Sequence, residues 1–181
     1  MKAVGATVAA AGFALFALPG VGGSYWSTYF PAASVLGLGM AISVAPLTTT
    51  VMNSADTRFA GAASGVNNAV SRVAALLAIA LFGLVMIPVF DRTLDNALVR
   101  AELHPGVIES VAQQKRKLAA IELPADLDVH QATLARRAVQ HAFVTGFRWI
   151  MLISAALALA GAASAWLLIG RARHEPQRRV Q

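Results

Sequence analysis

Long apolar runs separated by short polar breaks dominate the chain. Four runs are candidates for transmembrane helices, since a bilayer core requires about 20 mostly apolar residues. They cover residues 4–18, 30–52, 63–90 and 147–169, and the first of them is short. We therefore predict an all-α, polytopic membrane protein with about four transmembrane helices.

The longest polar stretch lies between the third and fourth runs and holds most of the charges. Apolar residues recur in it at helical spacing, with Pro105 and Pro124 as breaks. We expect short amphipathic helices, the last of which continues into the fourth span. These helices either serve as an external lid or a hairpin on which a partner docks, or they only pack against the ends of the spans and face the solvent. The predicted divisions are three transmembrane helices in 1–90, an extracytoplasmic loop in 91–140, the last transmembrane helix in 141–170 and a basic cytoplasmic tail in 171–181.

Composition strengthens the membrane assignment. The chain is 57% hydrophobic and 13% charged, whereas an ordinary soluble domain is about 45–50% apolar and about 25% charged. The net charge of +6 comes from Lys and Arg beside apolar runs, which fits a lipid bilayer better than nucleic acid. We expect no nucleic-acid partner. The absence of cysteine excludes disulfides and thiolate metal sites.

Basic residues in short connections predict the orientation of the spans. Lys2 precedes the first run, Arg58 lies between the second and third, and four arginines follow the last. These positions predict a multi-pass protein of the cell (inner) membrane with both termini cytoplasmic. The start of the chain also resembles a signal peptide, but it lacks a clear cleavage site, and a span is the favoured interpretation.

The third run opens with polar side chains that are unusual in a membrane span. Gly61, Gly65, Asn68 and Arg72 fall on one face of a helix, and the two glycines would let another backbone approach closely. Three interpretations of Arg72 remain open: its side chain reaches the lipid headgroups, binds a neighbouring helix, or contacts a substrate. Asn68 and Arg72 are the candidate substrate or gate residues of this face.

The second run offers a matching small-residue face and an irregularity. Gly37 and Ala41 are spaced for helix packing, as Gly61 and Gly65 are. Pro46 removes a backbone donor in mid-helix and predicts a bend, which is either part of a gate or purely structural.

The sequence offers no candidate catalytic set. It contains no apparent nucleophile with its base, metal-ligand cluster or phosphate-binding loop. We predict that the protein is not an enzyme and requires no metal or other cofactor.

The order and spacing of these features are similar to a known transporter family. The stretch "GLGMAISVAPLTTTVMNSADTRFAGAASGVNNAVSRVAALLAIALFG" resembles the fourteen-span drug:proton antiporters of the major facilitator superfamily. The stretch "HAFVTGFRWIMLISAALALAGA" resembles the entry to their last span. The positions that carry the first resemblance are Arg58, Gly61, Ala63, Ser64, Gly65, Asn68 and Arg72, with an additional Asn67.

The resemblance implies a multidrug efflux antiporter with a small drug-like substrate and a proton as coupling ion. The chain then corresponds to a carboxy-terminal fragment with a partial major-facilitator fold, whose partner is the missing amino-terminal half. No Asp, Glu or His lies within a predicted span, so any proton-carrying group is expected in that half. The alternative is a small, non-transport four-helix membrane protein that acts as an oligomer or partner subunit.

Overall fold

Helices form all the regular structure that is described. A computed structural model describes residues 2–53, 56–101, 103–124 and 127–172. Within these ranges no strand occurs, which confirms the all-α prediction. The five α-helices are α1 Lys2–Phe16, α2 Phe30–Asn53, α3 Ala60–Arg100, α4 Pro105–Gln113 and α5 Val129–Ala172. A π-helical turn, Tyr25–Tyr29, precedes α2, and 3₁₀ turns cover Thr57–Phe59 and Lys115–Ala120.

Three helical segments are long and apolar enough to cross a membrane. They lie in Tyr25–Val44, Ala60–Arg100 and Val129–Trp166. Helix α1 has only 15 residues and is about 22 Å long, against a bilayer core of about 30 Å. These lengths indicate a membrane protein, but the predicted count of four spans is not confirmed.

Helices α3 and α5 are each about twice as long as the bilayer core is thick. They contain 41 and 44 residues, which correspond to about 60 and 65 Å. The sequence predicts a span that ends at Phe90 and a separate amphipathic helix after it. Instead, α3 continues to Arg100, because its apolar stripe of Met86, Phe90 and Leu94 runs on without a break.

The described residues fall into two compact units, the first of which comprises those within 1–16, 24–75 and 151–181. Helices α1 and α2 pack closely there. A methyl group added at Gly12 would lie 2.6 Å from backbone atoms of Leu36, and one added at Gly39 would overlap the backbone of Ala9. Gly12 thus lies beside Leu36, and Ala9 lies beside Gly39. Since residue numbers rise along α1 as they fall along α2, the two helices are antiparallel.

The second unit comprises residues 17–23 and 76–150 and has an apolar core contributed by α3, α4 and α5. Phe90 and Leu94 are completely buried, and burial of each such side chain stabilises the unit by about 1.5–3 kcal/mol. The buried core residues are Phe90, Leu94, Leu98, Leu103, Val107, Val111, Ala135, Ala138, Val139 and Ala142.

A close approach of α3 and α5 fixes their register in the second unit. A methyl group added at Gly146 would lie 2.5 Å from the sulfur of Met86. Farther from this contact, Phe90 and Leu94 of α3 share the core with Ala142 and Ala138 of α5. Residue numbers rise along α3 as they fall along α5, so the two helices run antiparallel.

Candidate functional site

The four residues predicted to share a face of α3 lie on one uninterrupted helix. Gly61, Gly65, Asn68 and Arg72 all fall within Ala60–Arg100, where the helical turn of 100° per residue places them within about 60° of one another. All four are exposed. A methyl group added at Gly61 or Gly65 would meet no atom within 4 Å. The face is therefore open. That the two glycines pack against another helix stays a prediction, because no described helix contacts them there.

Asn68 and Arg72 make no side-chain hydrogen bond or ion pair within the part of the chain that the structure describes. The neighbouring Asn67 is half-buried, and its carbonyl oxygen accepts a hydrogen bond of 2.8 Å from the Ser71 hydroxyl. Asn67 thus lies on a more covered side of α3 than Asn68 does. The two asparagines, although adjacent in sequence, have different surroundings.

The position of Arg72 along α3 gives its charge a favourable setting. Residues 73–90 contain no polar side chain and span about 27 Å, close to the thickness of the bilayer core. A bilayer crossed by this stretch alone would have Arg72 at one edge of its core and Asp91 at the other. An arginine at this edge reaches the headgroup phosphates at little cost, and Gly61, Gly65 and Asn68 lie beyond it.

The predicted residues of α2 do not take part in the contact with α1. Gly37 and Ala41 are exposed, and a methyl group added at Gly37 would meet no atom within 4 Å. The contact uses Gly39 instead, which is about 200° around the helix from Gly37. Pro46 lies within Phe30–Asn53, but its side chain lies outside the described residues, and the bend predicted there stays a prediction.

The connection that leads into α3 is held by a local pair. The backbone N–H of Arg58 donates to a carboxylate oxygen of Asp56 at 3.0 Å, and their side chains form an ion pair at 3.6 Å. Asp56 is therefore a loop partner of Arg58 at the start of α3.

Arg148 of α5 makes a structural contact that the sequence pattern does not identify. Its Nη2 donates hydrogen bonds to the carbonyl oxygens of Leu18 and Pro19, at 3.3 and 3.1 Å. Its Nε is buried without a partner among the described residues. The accepting carbonyls follow the end of α1, where no helical N–H group is available to them. The sequence gives no local indication of this contact because Arg148 and its two partners are about 130 residues apart.

The described residues include no group of three or more His, Cys, Asp or Glu side chains that could hold a metal ion. Comparisons of the chain with protein-family models, curated proteins and solved structures find no match. The geometry of α3 and the resemblance of its motif are therefore the basis of a functional proposal.

Proposed function

We propose that the chain supplies transmembrane helices of a drug:proton antiporter of the major-facilitator type. The observation that carries the proposal is the exposed face of Gly61, Gly65, Asn68 and Arg72 on one helix, with open space above both glycines. Such a face is suited to close contact with another transmembrane helix. Its residues are also those that carry the resemblance to the antiporters.

In this proposal the chain functions together with further transmembrane helices, which supply the amino-terminal part of the transporter. The substrate is a small drug-like molecule, and the coupling ion is a proton. Residues 73–90 of α3 and 149–170 of α5 contain no Asp, Glu or His, so the proton-carrying side chains lie on other helices. Both termini face the cytoplasm, and α1 is a fourth, short membrane helix.

Asn68 and Arg72 have a supporting role at the cytoplasmic edge of the transporter. Their side chains make no contact that competes with a partner helix in the described residues, and Arg72 is also within reach of headgroups at the edge of the apolar stretch. Movement of one helix bundle against another would open and close the contact at this face. Pro46 supplies a bend in α2 that accompanies this movement.

The test is drug efflux from cells that make the protein naturally and lack their main unrelated efflux pumps. Deletion of the gene is expected to raise the accumulation of fluorescent cationic drugs and to remove efflux that depends on the proton gradient. A gene copy with Arg72→Leu should restore little efflux, whereas Asn67→Ala should restore nearly all of it. Membrane levels of both variants are measured by immunoblot.

Two results would contradict the proposal. Unchanged accumulation of every drug in a broad panel after deletion would argue against transport and favour the non-transport membrane protein. Equal, near-normal efflux with Arg72→Leu and Asn67→Ala would refute the role of the exposed α3 face.

A further inference from the structure

A groove in the second unit is lined by hydrogen-bond donors. It has a volume of about 460 Å³ and lies along α3, with one residue from α5. Arg100 and His141 contribute nitrogen donors, Asn96 an amide, and Thr93 a hydroxyl. The lining residues are Thr93, Asn96, Ala97, Arg100, Ala101 and His141.

The groove differs in charge from two other cavities of the same unit. Glu122 lines one of them and Asp91 the other, whereas no described carboxylate lines the groove. Lys115, at one of those cavities, is already bound to Asp95 at 2.6 Å. Arg100 forms no ion pair with any described residue, so its charge is available to an anion.

The helices around the groove keep carboxylates away from it. On α3, Asp91 and Asp95 each lie two residues from Thr93, which places them about 200° around the helix. Helix α5 contains no Asp or Glu over its whole length. A ligand in the groove would therefore meet donors and a positive charge without a neighbouring carboxylate on either helix.

The groove begins at the depth of the lipid headgroups. Thr93 and Asn96 lie about 4.5 and 9 Å beyond Phe90, where the apolar stretch ends, and the headgroup layer is about 5–8 Å thick. Arg100 lies farther out, but side chains on a helix lean towards its amino terminus, which for α3 is the membrane side. His141 is five residues before Gly146, as Asp91 is five after Met86, so His141 lies at the level of Asp91.

We propose that this groove binds the phosphate group of an anionic lipid. The Arg100 guanidinium donates to the phosphate oxygens, and Asn96, Thr93 and His141 supply the remaining hydrogen bonds. The acyl chains extend from the groove along the apolar part of α3. The inference requires only that the protein lies in a membrane, and it does not depend on transport.

The test is native mass spectrometry of the purified full chain in detergent, titrated with phosphatidylglycerol or with phosphatidylcholine of the same acyl chains. The wild-type chain is expected to retain one phosphatidylglycerol in preference to phosphatidylcholine. Arg100→Gln should weaken the binding of phosphatidylglycerol about 10-fold or more, because it removes a charge-assisted hydrogen bond. Arg116→Gln is the matched control, since it removes the same charge from an exposed residue at another cavity.

Three outcomes would overturn the proposal. Equal binding of the two lipids would show that the negative charge is not recognised. Equal loss with Arg100→Gln and Arg116→Gln would show a general charge effect rather than a site. Displacement of the lipid by millimolar glycerol phosphate would assign the groove to a soluble phosphate compound. His141→Gln, on the other helix, gives a second variant with the same expected loss if Arg100→Gln fails to fold.

Discussion

The Arg148 guanidinium donates a hydrogen bond of 3.1 Å to the carbonyl oxygen of Pro19. A second bond, of 3.3 Å, goes to the carbonyl oxygen of Leu18. Both accepting groups follow α1, a helix too short to cross a bilayer core by itself. Carbonyl groups beyond a helix end lack helical N–H partners, and Arg148 satisfies two of them from α5. The side chain thus holds the segment 17–23 against α5 within the second unit.

Arg148→Ala is expected to loosen this segment. Loss of hydrogen bonds from a charged donor costs about 1.5–3 kcal/mol, so the full chain should unfold at a lower temperature or denaturant concentration. Hydrogen exchange should become faster at residues 17–23. Arg137→Ala is the control, because it removes the same type of side chain from an exposed position of α5. Equal effects of the two substitutions would show that the contact with Pro19 is unimportant.

Gly39→Ala is expected to separate α1 from α2, because the added methyl group would overlap the backbone of Ala9. Overpacking of this kind costs about 1–3 kcal/mol. Gly37→Ala makes the same chemical change two residues away, where the space is open, and should leave stability unchanged. Thermal unfolding of the two variants in the same detergent distinguishes them. A similar melting temperature for both would contradict the α1–α2 contact.

These glycines show what a small-residue pattern can and cannot predict. The pattern indicates helices able to pack closely, and α2 does pack closely against α1 at Gly39. On α2, however, the predicted packing residues Gly37 and Ala41 lie away from α1. The pattern cannot choose between Gly37 and Gly39, since the choice depends on the register of α1 against α2, which is a property of two helices.

Leu94→Ala is expected to destabilise the second unit by about 2–5 kcal/mol, because it leaves a cavity in the core. Leu94 of α3 is completely buried in the core that α3 forms with α4 and α5. The control is Val99→Ala, at a side chain of α3 that is 73% exposed. Limited proteolysis of residues 101–128 in the full chain measures local opening. If residues 101–128 resisted proteolysis as strongly in Leu94→Ala as in Val99→Ala, the role of Leu94 in the core would be contradicted.

The extent of α3 could have been predicted more fully than its groove. Met86, Phe90 and Leu94 recur every four residues across the expected end of the span, and this spacing indicates one continuous helix. The change from apolar to charged residues at Asp91 does not end the helix, which continues to Arg100. The groove depends on α5 placing His141 along the same cavity as residues 93–101 of the chain, and residues so distant in sequence give no local pattern.

We predict that the face of Gly61, Gly65, Asn68 and Arg72 contacts other helices in the proposed transporter. The chain contains no cysteine, so a single introduced cysteine is the only thiol of the chain that can react with a label. Asn68→Cys tests this face, and Val66→Cys is the control, since both residues are exposed at nearly the same depth but lie on opposite sides of α3.

The most direct measurement is the rate at which each cysteine reacts with a water-soluble maleimide in native membranes, compared with the rate after denaturation. Asn68→Cys is expected to be protected in the membrane and to react about 10-fold or more slowly than Val66→Cys, and the two rates should become equal on denaturation. Equal reactivity of the two cysteines in native membranes would show that no helix covers this face and would contradict the proposed contact.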